Sequence, residues 1–208
     1  MCGITGVITL NEKENYLKSN TAKAINVLNK RGPDFQGVLN INENVSFAHA
    51  RLSIIDVTES ANQPMVSSCG RYVLVFNGEI FNFKKIKKEL QDIGENFETN
   101  SDTEVLLKSF IRFGKACLNK VNGFFAFAIY DKEKQSTFIA RDRIGIKPLL
   151  YRKTKDSFIF SSEMKAMIAY GFEKKLDNNS LHEYFRYNYI PYPNSVFEDV
   201  KKVKPGHY

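Results

Sequence analysis

Gly123-Phe124-Phe125-Ala126-Phe127-Ala128-Ile129-Tyr130 and Tyr72-Val73-Leu74-Val75-Phe76 are nearly unbroken apolar runs. A strand with one face in water alternates apolar and polar residues, whereas a strand covered on both faces reads as a continuous apolar run. Two such runs in one chain call for stacked sheets with helices outside them. The rest of the chain fits that plan. Strands are expected over residues 3–10, 35–41, 45–55, 71–77, 123–130, 136–141, 149–152 and 157–161. Helical spacing of Ala22, Ile25 and Leu28 marks a helix over 21–29. Further helices are expected at 83–93, stopping at Gly94, and from Ser101 to Gly114. Ser101 with Glu104 three residues on forms a capping-box pattern there. Short helices follow at 163–169 and 180–187, and the tail with Pro191, Pro193 and Pro205 is expected to be irregular. The order of strands, helices, then strands makes this an α+β chain. With no repeat, low-complexity stretch or internal linker, residues 1–208 are read as one domain.

Composition excludes several classes. Hydrophobic residues make up 43% and charged residues 25% of the 208, ordinary values for a folded soluble chain. No apolar run reaches the roughly 20 residues of a spanning helix, so no membrane is expected. The first fifteen residues lack a basic leader, and Thr5 and Thr9 interrupt their apolar stretch, so no signal peptide is read and the cytoplasm is the expected location. Cys2, Cys69 and Cys117, and His49, His182 and His207, are scattered, without disulfide-framework or metal-ligand spacing. Cys69 and Cys117 read as inert, partly buried thiols. The net charge of +7 comes with lysine clusters at 84–88, 174–175 and 201–204. Without a nucleic-acid motif these read as solvated faces, and no nucleic-acid partner is expected.

Chemistry gathers at the N-terminus. Cys2 follows Met1 and has a small side chain, so Met1 is expected to be removed, leaving a thiol and a free α-amine on one residue. The thiolate is the nucleophilic form. An α-amine of pKa about 7.7–8.0 accepts its proton near neutrality and returns it to a leaving amine. A cysteine at position two is weak evidence alone. It gains weight from an ordered set of motifs: Cys2-Gly3-Ile4-Thr5-Gly6, Arg31-Gly32-Pro33-Asp34, His49-Ala50-Arg51-Leu52-Ser53-Ile54-Ile55-Asp56, Gln63-Pro64-Met65, Asn77-Gly78-Glu79-Ile80-Phe81-Asn82, Ser101-Asp102-Thr103-Glu104, the run Ala140 to Leu149, and Ser161 to Ala166.

Together these closely resemble the N-terminal glutaminase domain of glutamine-hydrolysing asparagine synthetases, a class II glutamine amidotransferase domain. The likeness runs from Cys2 to the last residue. It implies a four-layer αββα sandwich of the N-terminal nucleophile hydrolase type, with two mainly antiparallel sheets covered by helices. It also implies roles. Cys2 attacks the side-chain carboxamide of L-glutamine. Asn77 and Gly78 supply oxyanion donors, one from a side-chain amide and one from a backbone N–H. Arg51 grips the α-carboxylate and Asp102 the α-ammonium. Leu52, Ser53, Ile54, Ile55 and Glu79 line the pocket. In isolation, Asn77-Gly78 would read as a plain turn, and Asp102 as an acidic residue favoured by a helix dipole. Arg31 to Asp34 reads as a turn at the mouth of the site, and Arg141, Asp142 and Arg143 as a charge network or an interdomain face.

Family members pass ammonia to a second domain that adenylates aspartate with ATP and Mg. That domain carries a serine- and glycine-rich pyrophosphate loop, and no such segment occurs in these 208 residues. No cofactor or metal is therefore expected in this chain. ATP and Mg belong to the missing synthetase domain, the expected partner in cis or as a subunit, and a homodimer is a further option. Two other readings stand beside this one: an amidotransferase domain serving a sugar or another carboxylate acceptor, and a non-catalytic glutamine-binding relative.

Overall fold

The computed structural model describes residues 1–11 and 16–208. Its strands form two antiparallel sheets. The first runs in the order β10 (Val200–Lys202), β8 (Leu150–Lys153), β9 (Ser157–Ser161), β1 (Gly3–Thr9), β3 (Val45–Arg51) and β2 (Phe35–Asn40). The second runs β4 (Met65–Val66), β5 (Tyr72–Ile80), β6 (Gly123–Asp131) and β7 (Ser136–Arg141). Helices α1 (Tyr16–Ser19), α2 (Thr21–Asn26) and α5 (Met164–Ala169) go with the first sheet, and α3 (Phe83–Asp92) and α4 (Asp102–Phe113) with the second. Helix α6 (Asn178–Tyr187) follows α5.

Three apolar clusters hold the layers, and strand alternation assigns them. On β5, Val73 and Val75 face Ile4, Val45, Phe47 and Phe160 of the other sheet, while Leu74, Phe76 and Ile80 pack on Ile86, Leu90 and Leu106 of α3 and α4. On β6, Ala126 and Ala128 face inward between the sheets, and Phe125, Phe127 and Ile129 face the helices. The runs are apolar throughout because both faces are covered, as the sequence predicts. The small alanines leave room for Phe47 and Phe160, whose rings meet edge to face at 5.2 Å. Behind the first sheet, Val7, Ala48 and Ile159 pack on Ala24, Ile25, Met167 and Tyr170. Each fully buried large side chain contributes about 1.5–3 kcal/mol. The result is the expected αββα order.

The differences lie at element ends. Strand β5 continues through Gly78 to Ile80, so Asn77-Gly78 is strand rather than turn. Strand β3 stops at Arg51 instead of running to residue 55, because Ile54 and Ile55 are exposed and belong to a loop. The helix expected over 21–29 ends at Asn26. Strands β4 and β10 were not anticipated, and β10 lies in the tail read as irregular. At α4 the Ser101 hydroxyl accepts from the Thr103 N–H at 3.1 Å, but Glu104 does not close a capping box. Its carboxylate instead accepts the N–H groups of Glu98 and Thr99, binding the preceding loop. No helix among the described residues is long and apolar enough to cross a membrane.

Candidate active site

Three inward-facing rows lead to one end of the sandwich. Side chains two apart on a strand share a face. On the β1 row, Ile4 lies between the sheets and Cys2 precedes it by two. On β3 the row Val45, Phe47, His49 ends at Arg51, and on β5 the row Val73, Val75 ends at Asn77. Where the apolar rows stop, these three polar residues line a common cleft of about 620 Å³, counting its part open to solvent. Leu52, Ile54, Ile55, Gly78, Glu79 and Asp102 line it too, as do Met1, Gln63 and Lys147.

The cleft edge of β5 explains which donors are free. Strand β4 pairs only with Val73 and Leu74, so the same edge is unpaired further along β5. Backbone groups of even-numbered residues point to that edge, and odd-numbered ones point to β6. The Phe76 N–H donates to Gln63 Oε1 at 2.6 Å, and its carbonyl accepts from His49 Nε2 at 3.1 Å. The Ile80 N–H donates to Asp102 Oδ2 at 2.9 Å. Between these two satisfied positions, the Gly78 N–H faces the cleft. Gly78 cannot turn to β6, since its opposite number Phe125 is committed on its far side to Asp142 through both N–H and carbonyl. Beside it Asn77 is buried, and its Nδ2 has no hydrogen-bond partner among the described residues. An orphaned buried amide N–H costs about 1–3 kcal/mol unless something accepts it. Two donors on adjacent residues thus await an acceptor.

Gly78 is required for close approach of the backbone rather than for an unusual dihedral. Its φ is not positive. A methyl there would instead collide with the Phe124 carbonyl and the Phe76 ring and lie 2.8 Å from Phe125 Cα.

The nucleophile is held from two sides. The Leu52 N–H donates to Cys2 Sγ at 3.4 Å, and Sγ lies 3.6 Å from the Leu52 carbonyl. Arg31 donates from Nε to the Cys2 carbonyl at 2.8 Å and pairs with Glu163 at 2.7 Å. The turn at the mouth of the site therefore fixes the main chain of Cys2. Burial pushes the Cys2 thiol up, and the Leu52 backbone, the N-terminal amine, Arg51 and Lys147 pull it back.

Charges of opposite sign flank the cleft. Arg51 is buried and pairs with no carboxylate among the described residues. Its fork is not free. It donates to the carbonyls of Asp56 and Thr58 and to Asn62 Oδ1, holding the loop after β3. Asp102 opens α4 and is buried, and burial raises its pKa to about 6 against the Ile80 N–H, with Glu79 adding to the rise. The helix N-terminus does not compensate that desolvation.

Ser53 does not join the lining. Once the chain leaves β3, alternation ends, and the Ser53 N–H donates to Asp34 Oδ2 at 2.7 Å. Arg141, Asp142 and Arg143 do not form a charge network, since no ion pair links them among the described residues and each serves backbone groups instead. Cys69 is exposed, contrary to expectation, and the Ser67 hydroxyl lowers its pKa. Cys117 is buried and pushed up to about 12. His49 is fully buried and neutral, lowered to about 3 by desolvation. It donates across the sheets to Phe76 and so anchors the residue before Asn77. Sequence reasoning missed Gln63, His49 and Lys147, although all three stand inside motifs that carry the resemblance. No group of three or more His, Cys, Asp or Glu among the described residues is placed to hold a metal.

Comparison with known proteins agrees with this geometry. A family model described as a glutamine amidotransferase domain matches residues 1–208. Asparagine synthetase [glutamine-hydrolyzing] 3 of Bacillus subtilis (strain 168) is 37% identical over 211 residues, covering 100% of this chain and 34% of that protein. Asparagine synthetase [glutamine-hydrolyzing] 1 of the same strain is 36% identical, covering 99% of this chain and 33% of that protein. The chain thus spans about a third of the length of these curated relatives. Among solved structures, a glutamine phosphoribosylpyrophosphate amidotransferase from B. subtilis superposes with a TM-score of 0.62 at 22% identity, covering 82% of this chain and 44% of that one. That likeness supports the two-sheet sandwich fold. With its whole length matched and its cleft built around Cys2, the chain belongs to the glutamine amidotransferase domain family.

Proposed function

We propose that this domain hydrolyses the side-chain amide of L-glutamine through Cys2 and that the ammonia serves asparagine synthesis in a partner synthetase domain. The observation that carries the first half is the buried Asn77 Nδ2, without a hydrogen-bond partner among the described residues, beside Gly78 on the edge of β5 beyond its pairing with β4, in the cleft that holds the Cys2 thiol. The thiolate attacks the amide carbon, and the carbonyl oxygen takes up negative charge between the Asn77 amide and the Gly78 N–H. Such a donor is worth about 3–4 kcal/mol in the transition state. The C–N bond breaks as the nitrogen is protonated, ammonia leaves, and a γ-glutamyl thioester remains. Water attacks that thioester and releases glutamate and the thiol. The α-amine of Cys2 serves as base and acid once Met1, which lines the cleft, is removed.

Arg51 and Asp102 orient the substrate. An uncompensated guanidinium suits the α-carboxylate, and a carboxylate kept partly uncharged by burial suits an incoming ammonium, which restores its charge. Leu52, Ile54 and Ile55 shield the side-chain methylenes. The names of the relatives, asparagine synthetases [glutamine-hydrolyzing], support the second half; the proposal further takes L-aspartate as acceptor, with ATP and Mg bound by the synthetase domain, in cis or as a subunit.

The test of the first half is trapping. An electrophilic glutamine analogue should add one adduct per chain, on the Cys2 peptide, and excess glutamine should protect against it. An adduct on Cys69 alone, or no protection, would sink the assignment.

A further inference from the structure

Beyond the residues already given roles, the cleft contains one charged side chain whose backbone is tied down and whose head is not. Asp142 is buried, and its Oδ1 accepts the N–H groups of Ile144, Gly145 and Ile146 at 3.1, 2.7 and 3.0 Å. Its Oδ2 accepts the Lys147 N–H at 3.0 Å and the Phe125 N–H at 3.3 Å. The preceding residue, the last of β7, works from the other side. Arg141 donates to the carbonyls of Lys147, Val203 and Gly145 at 2.7, 2.6 and 2.6 Å. Gly145 has φ +76, a conformation that closes the turn and that other residues rarely adopt. The turn 142–147 is thereby clamped on its N–H and carbonyl groups alike.

At the end of this turn Lys147 reaches the Cys2 cleft. Its Nζ lies 3.5 Å from Met1 Sδ, and it makes no ion pair among the described residues. Removal of Met1 takes away that one contact. The other charges that line the cleft are Arg51, already hydrogen-bonded to its loop, and the carboxylates Asp56, Glu79 and Asp102. Asp56 is occupied by Thr58 and Asn100, and Asp102 by Ile80.

We propose that Lys147 is the electrostatic partner of the Cys2 thiolate and that Arg141 and Asp142 are positioning residues that hold it over the cleft. This rests on the glutaminase reading for its purpose, but not for its test. An opposite charge within about 4–6 Å favours the charged form of its neighbour by about one pKa unit or more. In a cleft where burial opposes the thiolate, the Lys147 ammonium adds to the charge of Arg51, whose guanidinium is held on the loop after β3 while the Lys147 head makes no ion pair among the described residues. It also explains why so much hydrogen bonding is committed to one short exposed turn. An otherwise flexible lysine is delivered from a backbone that cannot move away.

The experiment is alkylation of Cys2 by iodoacetamide across pH 5–10 without glutamine, read by peptide mass in wild type, Lys147→Gln and Lys147→Arg. The thiolate displaces iodide, so the rate follows the thiolate fraction. Lys147→Gln should raise the apparent pKa by about one unit and slow alkylation at neutral pH about tenfold. Lys147→Arg should stay within about threefold of wild type, and added salt should shift wild type but not Lys147→Gln. Cys69 should react alike in all three, which controls for general effects. An unchanged Cys2 profile in Lys147→Gln overturns the proposal. So does a shift in Lys147→Arg as large as that in Lys147→Gln, which would mark packing rather than charge. A confirmed shift with no glutamate release by wild type would count against the glutaminase reading alone.

Discussion

Asp102→Asn separates a substrate anchor from a residue that serves the helix dipole, because the two roles predict opposite signs for stability. The folded protein holds Asp102 at a pKa of about 6 against an ordinary 3.8, chiefly through burial. A carboxyl whose folded pKa is raised is bound to its proton more tightly in the folded state than in the unfolded one. Stability is then greatest below about pH 4, falls as pH rises through about 6, and stays at the lower level above it. The shift of 6 − 3.8 = 2.2 units corresponds to about 3 kcal/mol, taken as an upper bound. Asn keeps an oxygen for the Ile80 N–H and carries no charge at any pH. Asp102→Asn should therefore stabilise the fold at pH 8 by up to about 3 kcal/mol, several degrees in Tm for a domain this size, and the gain should largely vanish by pH 4. The same variant should raise the KM for glutamine, since the ammonium loses its counter-charge. Denaturant melts at pH 4 and pH 8 with steady-state kinetics read both effects. A variant less stable at pH 8, as expected for a residue serving the helix dipole, would refute the reasoning.

Two further substitutions test the donors on β5. Asn77→Ala should lower kcat about 10²–10³-fold with little change in the glutamine KM, and a kcat within threefold of wild type would remove Asn77 from the oxyanion site. Gly78→Ala should cost about 1–3 kcal/mol in a denaturant melt, because its methyl meets the Phe124 carbonyl and the Phe76 ring. It should depress kcat as well, and unchanged stability would mean that β5 and β6 do not pack as described.

How much of this was legible in the sequence depended on where each residue finds its partners. The central strands β5 and β6 were readable because both their faces meet apolar layers, and that fact is written in Val73 to Phe76 and Phe125 to Ile129 themselves. The end of β3 was not, because Leu52, Ile54 and Ile55 are as apolar as strand residues and yet form the rim of the cleft. Strand β10 was hidden by its brevity and its two lysines. It exists through pairing with β8, nearly fifty residues earlier in the chain. The cleft residues Cys2, Arg51, Asn77, Gly78 and Asp102 were named through the resemblance, and inward-row alternation accounts for how the first, second and third of them meet. Ser53 was included because the resemblance was carried over the whole segment from Leu52 to Ile55, whereas its N–H is turned to Asp34 in the loop after β3. Asp142 was read as one charge among three because its partners are backbone N–H groups, which no side-chain pattern displays. Gln63 and His49 were missed for a related reason, since they replace strand pairing at an edge that only the three-dimensional structure reveals to be open.

The most direct measurement is glutamate release from glutamine by the purified chain, with intact mass read on the same sample and on Cys2→Ala. The account predicts a mass lacking Met1, steady release by wild type, and none by Cys2→Ala with its melting temperature retained. Release that persists in Cys2→Ala, or a wild-type protein with a free N-terminal Cys2 that neither releases glutamate nor takes up the electrophilic analogue, would contradict it.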